Sequence, residues 1–340
     1  MKRELVWVAV IGVFFGLVIA FGVWRINSSL KGSRPDFPQE TPGSQDQISE
    51  FKIAINSPEE GDVITTSPLS LTGITKALSW MVVSGEEGDY ILQSDERGEF
   101  YQEVELVPGI NQIKIFALDL KGNQNLEKVL VVYSSVFELK NTEDSQTENN
   151  ATDEASVESK VSQKVAQASI RPKAYLGTVT DITNTTIQIK NIESQIEQIS
   201  VADPDIDVVD IKGKNNKQVN LTDIAIGDFI VAMGYVNGNQ VLDSQRILIT
   251  DPFTENSISV NLARVKGETK TTLTVEDVGK NEESTLTSGK NVYIASYADG
   301  KIKSQTLSGI DTDNLTIYVM DTSGTPSLLR SIFDIGPSES

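Results

Sequence analysis

Residues 98–123 read GEFYQEVELVPGINQIKIFALDLKGN. In an extended chain successive side chains point to opposite faces, so Phe100, Val104 and Leu106 share one side of a strand. Pro108-Gly109 reverses direction, Ile113, Ile115 and Ala117 form a second inward face, and Asp119 to Asn123 turns again. A period of two, broken by glycine, proline and asparagine, predicts antiparallel β-structure here.

The same punctuation extends upstream and downstream. Phe51, Ile53 and Ile55 alternate with polar residues before the turn Ser57-Pro58-Glu59-Glu60-Gly61, and Leu69 and Leu71 follow. A Trp80 to Val83 run, a Gly85 to Asp89 turn, Tyr90 to Leu92, a turn from Asp95 to Gly98, and Val129 to Tyr133 complete seven short strands. About seven strands in 51–135 suit an immunoglobulin-like β-sandwich.

A family resemblance rests on the same residues. Ser57-Pro58 with Gly61, Leu69-x-Leu71-x-Gly73, Gly98-x-Phe100, Val104-x-Leu106 and Gly109-x-Asn111-x-Ile113-x-Ile115-x-Ala117-x-Asp119 with Gly122-Asn123 resemble bacterial immunoglobulin-like modules of the kind appended to glucodextranase and to surface proteins. The resemblance covers about a quarter of the chain and implies a fold and an extracytoplasmic location, not a reaction.

Further along, an offset of 86 residues aligns 175–249 with 261–335 without a gap. Val179 meets Val265, Ile187 and Ile189 meet Leu273 and Val275, Ile224 meets Ile310, Leu242 meets Leu328 and Ile249 meets Ile335. Apolar positions matched in register predict two copies of one β module, 173–252 and 253–340, each a self-contained barrel-like domain. Gly177-x-Val179-x-x-Ile182, Ile226-Gly227-Asp228-x-Ile230 and Asn237-Gly238-Asn239 resemble small β domains of bacterial surface proteins. In the second copy Asp313-Asn314 replace Gly227-Asp228, which departs from the shared turn. Asn237-Gly238 predicts a hairpin turn with positive φ at both residues, pairing Ile230–Tyr235 with Val241–Ile249.

At the other end, residues 5–24 run from Leu5 to Trp24 without a charge, enough for a helix to span about 30 Å of hydrocarbon. Trp7 and Trp24 sit where indole rings favour headgroups, and Lys2, Arg3 and Arg25 bracket the run. The expectation is a transmembrane helix following a cytoplasmic tail at 1–4, which places the chain in the lipid bilayer with its bulk outside the cytoplasm. A cleaved signal peptide ending near Ala20-Phe21-Gly22 is the competing reading. Gly12 and Gly16 lie on one helix face and offer a helix–helix contact to a second copy or an envelope protein. Residues 25–50 read as a proline- and serine-rich tether and 136–172 as a polar, acidic linker. Each has a flexible-chain span of roughly 30 Å, which predicts modules that reorient independently.

Composition narrows the function. The chain has 340 residues, no cysteine and no histidine, so disulfides, thiolate chemistry and histidine-dependent catalysis are excluded. Its net charge of -19 excludes nucleic acid as a partner by long-range repulsion of phosphate. Asp203, Asp205 and Asp207 share a face if extended and have Asp210 nearby, a hard-oxygen set that suits calcium, although Pro204 and the polar surroundings favour a solvated loop. The acidic turns Glu59-Glu60-Asp62, Glu86-Glu87-Asp89 and Asp95-Glu96 are a second such set, with ordinary charged turns the plainer reading. No catalytic residue, resident metal or cofactor is implied.

The sequence therefore predicts an all-β fold with an N-terminal transmembrane helix, one immunoglobulin-like sandwich and two small barrel-like domains. The function it favours is a non-enzymatic surface protein that displays these modules for adhesion, envelope contact or binding of an extracellular glycan or protein. An accessory subunit of a cell-envelope complex and a carbohydrate-binding or carbohydrate-processing module are the alternatives.

Overall fold

A computed structural model describes residues 52–137, 139, 171–213, 216–298 and 300–337. The segment 5–24, with Leu5, Trp7, Gly12, Gly16 and Trp24, lies outside the described residues, as do most of the residues read as tether and linker. Among the described residues no helix is long and apolar enough to cross a membrane, and helical structure consists of short 3-10 turns at Leu221–Asp223 and Leu307–Gly309. The fold of the described residues is thus corrected to all-β, with no transmembrane helix among its elements.

The first module has eight strands: β1 Ala54–Ser57, β2 Val63–Ile64, β3 Leu69–Ile74, β4 Trp80–Ser84, β5 Asp89–Gln93, β6 Glu99–Val104, β7 Gly109–Leu118 and β8 Gln124–Tyr133. They form a three-stranded sheet, order β1-β3-β6, facing a five-stranded sheet, order β2-β8-β7-β4-β5. Leu71, Met81, Val83, Phe100, Ile113, Ile115 and Val131 fill the space between the sheets. Gly73 is required there, because a Cβ would sit 2.4 Å from both the Ala54 carbonyl oxygen and the Phe100 ring.

The first repeat holds β9 Lys173–Ile182, β10 Thr186–Asn191, β11 Ile196–Ser200, β12 Asp207–Asp210, β13 Lys217–Val219, β14 Phe229–Val236 and β15 Val241–Thr250. Antiparallel pairing runs β11-β10-β9-β14-β15, and a parallel ladder from Gln198–Ser200 to Val241–Asp243 closes the ring. The second repeat holds β16 Ile258–Glu268, β17 Thr272–Asp277, β18 Glu283–Thr287, β19 Tyr293–Ala298, β20 Lys301–Ser304, β21 Asn314–Asp321 and β22 Leu328–Pro337 in the corresponding order. Among the described residues β18 does not pair with β22, so this sheet stays open. Two barrel-like domains were expected; one barrel and one open sheet are present.

The turn before β21 survives its sequence change. Gly227 has φ +97° and donates its N–H to the Val179 carbonyl at 2.9 Å; Asp313 has φ +69° and donates to the Val265 carbonyl at 2.9 Å. Aspartate tolerates the left-handed region better than most residues, so the geometry persists without glycine. The Asn237-Gly238 hairpin forms differently from expectation. The left-handed residue is Gln240, while the Asn237 Oδ1 accepts the N–H groups of Asn239 and Val241, as an Asx turn does.

Neither repeat is self-contained, which corrects the expectation of freely reorienting modules. Residues 50–340 cluster as one compact unit. The outer face of the five-stranded sheet is covered on one side by Ala174, Leu176, Val209, Phe229, Val231, Met233 and Leu248 of the first repeat, packed on Val63, Leu130 and Val132. On the other side Val260, Leu262, Ala295, Leu315, Ile317, Val319 and Phe333 of the second repeat pack on Val82, Ile91, Phe116 and Leu118. The first six residues of each set are related by the 86-residue offset. Fully burying an aliphatic or aromatic side chain contributes about 1.5–3 kcal/mol, so each contact is worth on the order of 10 kcal/mol before ordering costs. That scale dwarfs the ~0–1 kcal/mol of an exposed ion pair.

Candidate functional site

Two of the three acidic turns of the sandwich are anchors for the repeats. At Glu59-Glu60-Gly61-Asp62 the chain entering β9 forms a short backbone junction: Val63 N–H donates to the Pro172 carbonyl at 3.0 Å and Ala174 N–H to the Gly61 carbonyl at 2.7 Å. Lys173 Nζ lies 2.8 Å from Asp62 and 2.9 Å from Glu59. Burial works against the Lys173 charge, but hydrogen bonds to Asp62 and Glu59 outweigh it and raise its pKa. The same hydrogen bond holds the Glu59 carboxyl below its ordinary value, whereas desolvation pushes neighbouring Glu60 upward although it accepts the Leu130 N–H.

The Gly85 to Asp89 turn anchors the second repeat. The buried Asp89 carboxylate accepts from Ser84 Oγ at 2.6 Å and from Ser331 Oγ at 2.5 Å, and Arg330 lies 3.2 Å away while also donating to the Gly85 carbonyl. Between the two apolar contacts, the connector joining the repeats crosses the sheet. There Asn256 Nδ2 donates to Glu86 at 3.1 Å, its carbonyl accepts from buried Lys114, and Glu255 pairs with Lys114 at 3.2 Å and Lys128 at 3.0 Å. Asp95 serves its own turn, accepting the N–H groups of Arg97 and Glu99 at 2.8 Å.

Asp203, Asp205 and Asp207 line a cavity of about 370 Å³ together with Phe137 and Arg246. Asp207 is bonded to the Arg246 guanidinium, the Asp203 carboxylate accepts the Asp205 N–H, and Asp210 accepts the Lys212 N–H. Asp203, Asp207 and Asp210 are each tied to a donor of the protein, and among the described residues no three acidic groups converge as a cage for a cation.

A larger cleft, about 630 Å³, opens between the sandwich edge and the second repeat. Gly88, Asp89 and Tyr90 at the start of β5 form one wall; Tyr293, Ile302 and the Leu328 to Ser331 start of β22 form the other. Tyr293 is 44%, Ile302 43% and Leu328 63% exposed. The Tyr293 ring is held edge-on to Phe333 at 6.0 Å between centroids. Glu87, Glu105 and Asp321 add carboxylates, and Arg330 is committed to Asp89. Hydrogen bonds from Ser323 keep Asp321 low and therefore charged at neutral pH. Burial raises the Tyr90 phenol, whose oxygen accepts the Glu105 N–H at 3.0 Å and which keeps its own proton to donate.

No local sequence pattern marks this cleft. The ungapped offset matches Leu328 with the fully buried Leu242, but a bulge at Leu315/Thr316 that β14 lacks slips β22 by one residue, while the bulge at Val319/Met320 has its counterpart at Met233/Gly234. Asp321 pairs with Leu328 where Tyr235 pairs with Asp243, so Leu328 occupies the place of a surface aspartate. Phe333 correspondingly takes the place of Leu248, since Ile317 faces it as Val231 faces Leu248.

No family model matches the chain, and no curated protein matches it. Among solved structures, a Ca2+-stabilized adhesin with which an Antarctic bacterium binds ice is 12% identical, with a TM-score of 0.19 over 84% of this chain and 73% of that one. A structure concerned with host cell surface retention of a 1.5-MDa bacterial ice-binding adhesin is 11% identical, with a TM-score of 0.18 over 84% and 97%. One concerned with Dscam isoform specificity is 8% identical, with a TM-score of 0.17 over 84% and 78%. Scores this low establish no common fold.

Proposed function

We propose that the chain is a non-enzymatic, extracytoplasmic adhesion protein that works as one rigid three-module body and binds its target in the cleft between the sandwich and the second repeat. The observation that carries this reading is the concentration of Tyr293, Ile302 and Leu328, all exposed, in one concave site with charged walls. Exposed apolar residues scattered singly need no explanation, but gathered in a groove rimmed by polar groups they mark binding. The same reading treats 52–137 as an immunoglobulin-like module, supported by two facing sheets of three and five strands.

Beads coated with the purified full chain, challenged with glass bearing immobilised protein or polysaccharide, test the proposal. Adhesion should fall to the level of uncoated beads when Tyr293→Ser and Leu328→Asp are introduced together, with the circular dichroism spectrum unchanged. Adhesion that ignores both substitutions, or none from the unsubstituted chain, would refute it.

A further inference from the structure

In the first repeat the segment Val241–Asp243 is covered by β11 through a parallel ladder. After the one-residue slip, its counterpart in the second repeat is 326–328, and no strand covers it among the described residues. Leu328, Leu329 and Arg330 have β21 on one side, whereas pairing with β19 on the other side begins only at Ser331. Across the cleft, β5 is the edge strand of the five-stranded sheet. Uncovered strand edges offer N–H and C=O groups to an incoming extended chain.

The side chains around this opening define what such a chain would carry. Leu328, Ile302 and Tyr293 present apolar surface, and Glu87, Glu105 and Asp321 present negative charge. The only cation lining the cleft among the described residues, Arg330, is paired with Asp89, so the opening is electrostatically negative in a chain whose net charge is already -19. A strand alternates its side chains, so one face of a bound segment would meet the carboxylates while the other met the apolar wall.

We propose that the cleft takes an extended, basic segment of a protein partner, in which lysine or arginine alternates with aliphatic residues, added alongside Leu328–Arg330. This rests on the adhesion reading above and names the chemistry of its target. Complementary charge accelerates encounter and rejects acidic competitors, while the apolar side chains slow release.

Three fluorescein-labelled eight-residue peptides test it against the full chain by fluorescence anisotropy: alternating lysine and leucine, alternating glutamate and leucine, and alternating lysine and serine. The lysine–leucine peptide should bind at least about tenfold more tightly than either control, a difference of about 1.4 kcal/mol. Glu87→Gln with Glu105→Gln, and separately Leu328→Ser, should each weaken it by a similar factor, and added salt should weaken it further. Glu87→Lys with Glu105→Lys should transfer preference to the glutamate–leucine peptide, a gain that misfolding cannot mimic. Equal binding of all three peptides, indifference to the substitutions, or no binding by any peptide would overturn the proposal. If cleft-dependent bead adhesion persists while the peptides fail, the adhesion reading stands and the basic-segment chemistry is wrong; if both fail, both fall.

Discussion

The two repeats share strand order, spacing and the face they lay on the sandwich, yet one closes into a barrel and the other does not. The difference lies at a few positions where backbone approaches backbone. In the first repeat Gly177 sits where a Cβ would lie 2.3 Å from the Lys190 carbonyl oxygen, and Gly234 where it would lie 2.0 Å from that of Asp243. Gly234 adjoins the register shift at Met233/Gly234, whereas Gly177 pairs with Asn191, two pairs beyond the shift at Gln188/Ile189, and the second repeat carries shifts at the matching places, Val265/Gly267 and Val319/Met320. The counterparts of the two glycines in the second repeat are Ala263 and Met320. Its interior must also hold Tyr318 in place of Ala232, with the phenol donating to Asp277 at 2.7 Å and its pKa raised by burial and by that bond. A Cβ at each of these close approaches and a larger interior group both favour the open sheet, and the opening borders the cleft. The conserved face and the divergent seam teach that attachment to the sandwich and closure of the ring are independently specified.

Shared cores make the sharpest prediction. Phe333→Ala should cost about 3–5 kcal/mol and Leu248→Ala about 2–5, because both empty an apolar contact with the sandwich. Denaturant unfolding followed by Trp80, which stands edge-on to Tyr297 at 5.0 Å, should show one transition shifting as a whole. Separate transitions for sandwich and repeats would break the account of one body.

Ring closure is worth less than the shared cores. Gly177→Ala should cost about 1–3 kcal/mol by overpacking. Its mirror substitution, Ala263→Gly, should cost roughly 0.5–1 from backbone entropy alone. Hydrogen exchange should read the same contrast: amides of β11 facing β15 are protected, those on the free edge of β18 exchange faster, and Gly177→Ala makes β11 resemble β18.

The smallest expected effect comes from pH at the first repeat's anchor. Glu59 has a folded pKa below its ordinary value of 4.5, so its stabilisation is present above that value and is lost as pH falls through the lower folded one. Glu60 has a folded pKa above 4.5, so its contribution is present below that value and is lost as pH rises through the higher one. Glu59→Gln should flatten the acid side of the stability curve and Glu60→Gln the side above it, measured by thermal unfolding between pH 3 and 7 at roughly 0.1 M salt. Identical curves for the two variants would dismiss opposite roles for adjacent carboxylates.

Much of the local structure was legible from residue type and spacing. Alternation in Gly109–Leu118 identified a strand and assigned Ile113, Ile115 and Ala117 to the sandwich interior. It left Gln112, Lys114 and Phe116 on a face that looked ready for solvent, yet the whole stretch from Asn111 to Leu118 is buried. The acidic turns looked like cation ligands because their partners, Lys173, Arg330 and Ser331, lie far away in sequence. The cleft was invisible because it depends on a one-residue slip: an ungapped match puts Leu328 in a core, and the extra bulge at Leu315/Thr316 puts it at the surface.

By itself the sequence determined the β-class, the 86-residue repeat, the positions of most turns and the absence of cysteine and histidine chemistry. These follow from local stereochemistry and side-chain period, which each short stretch carries within it. The tertiary structure decided which outer faces are covered, which acids are anchors, which ring closes and where the cleft opens. Those outcomes depend on contacts between segments up to about 240 residues apart, such as Asp89 with Arg330 and Ser331, whose pairing no local pattern encodes.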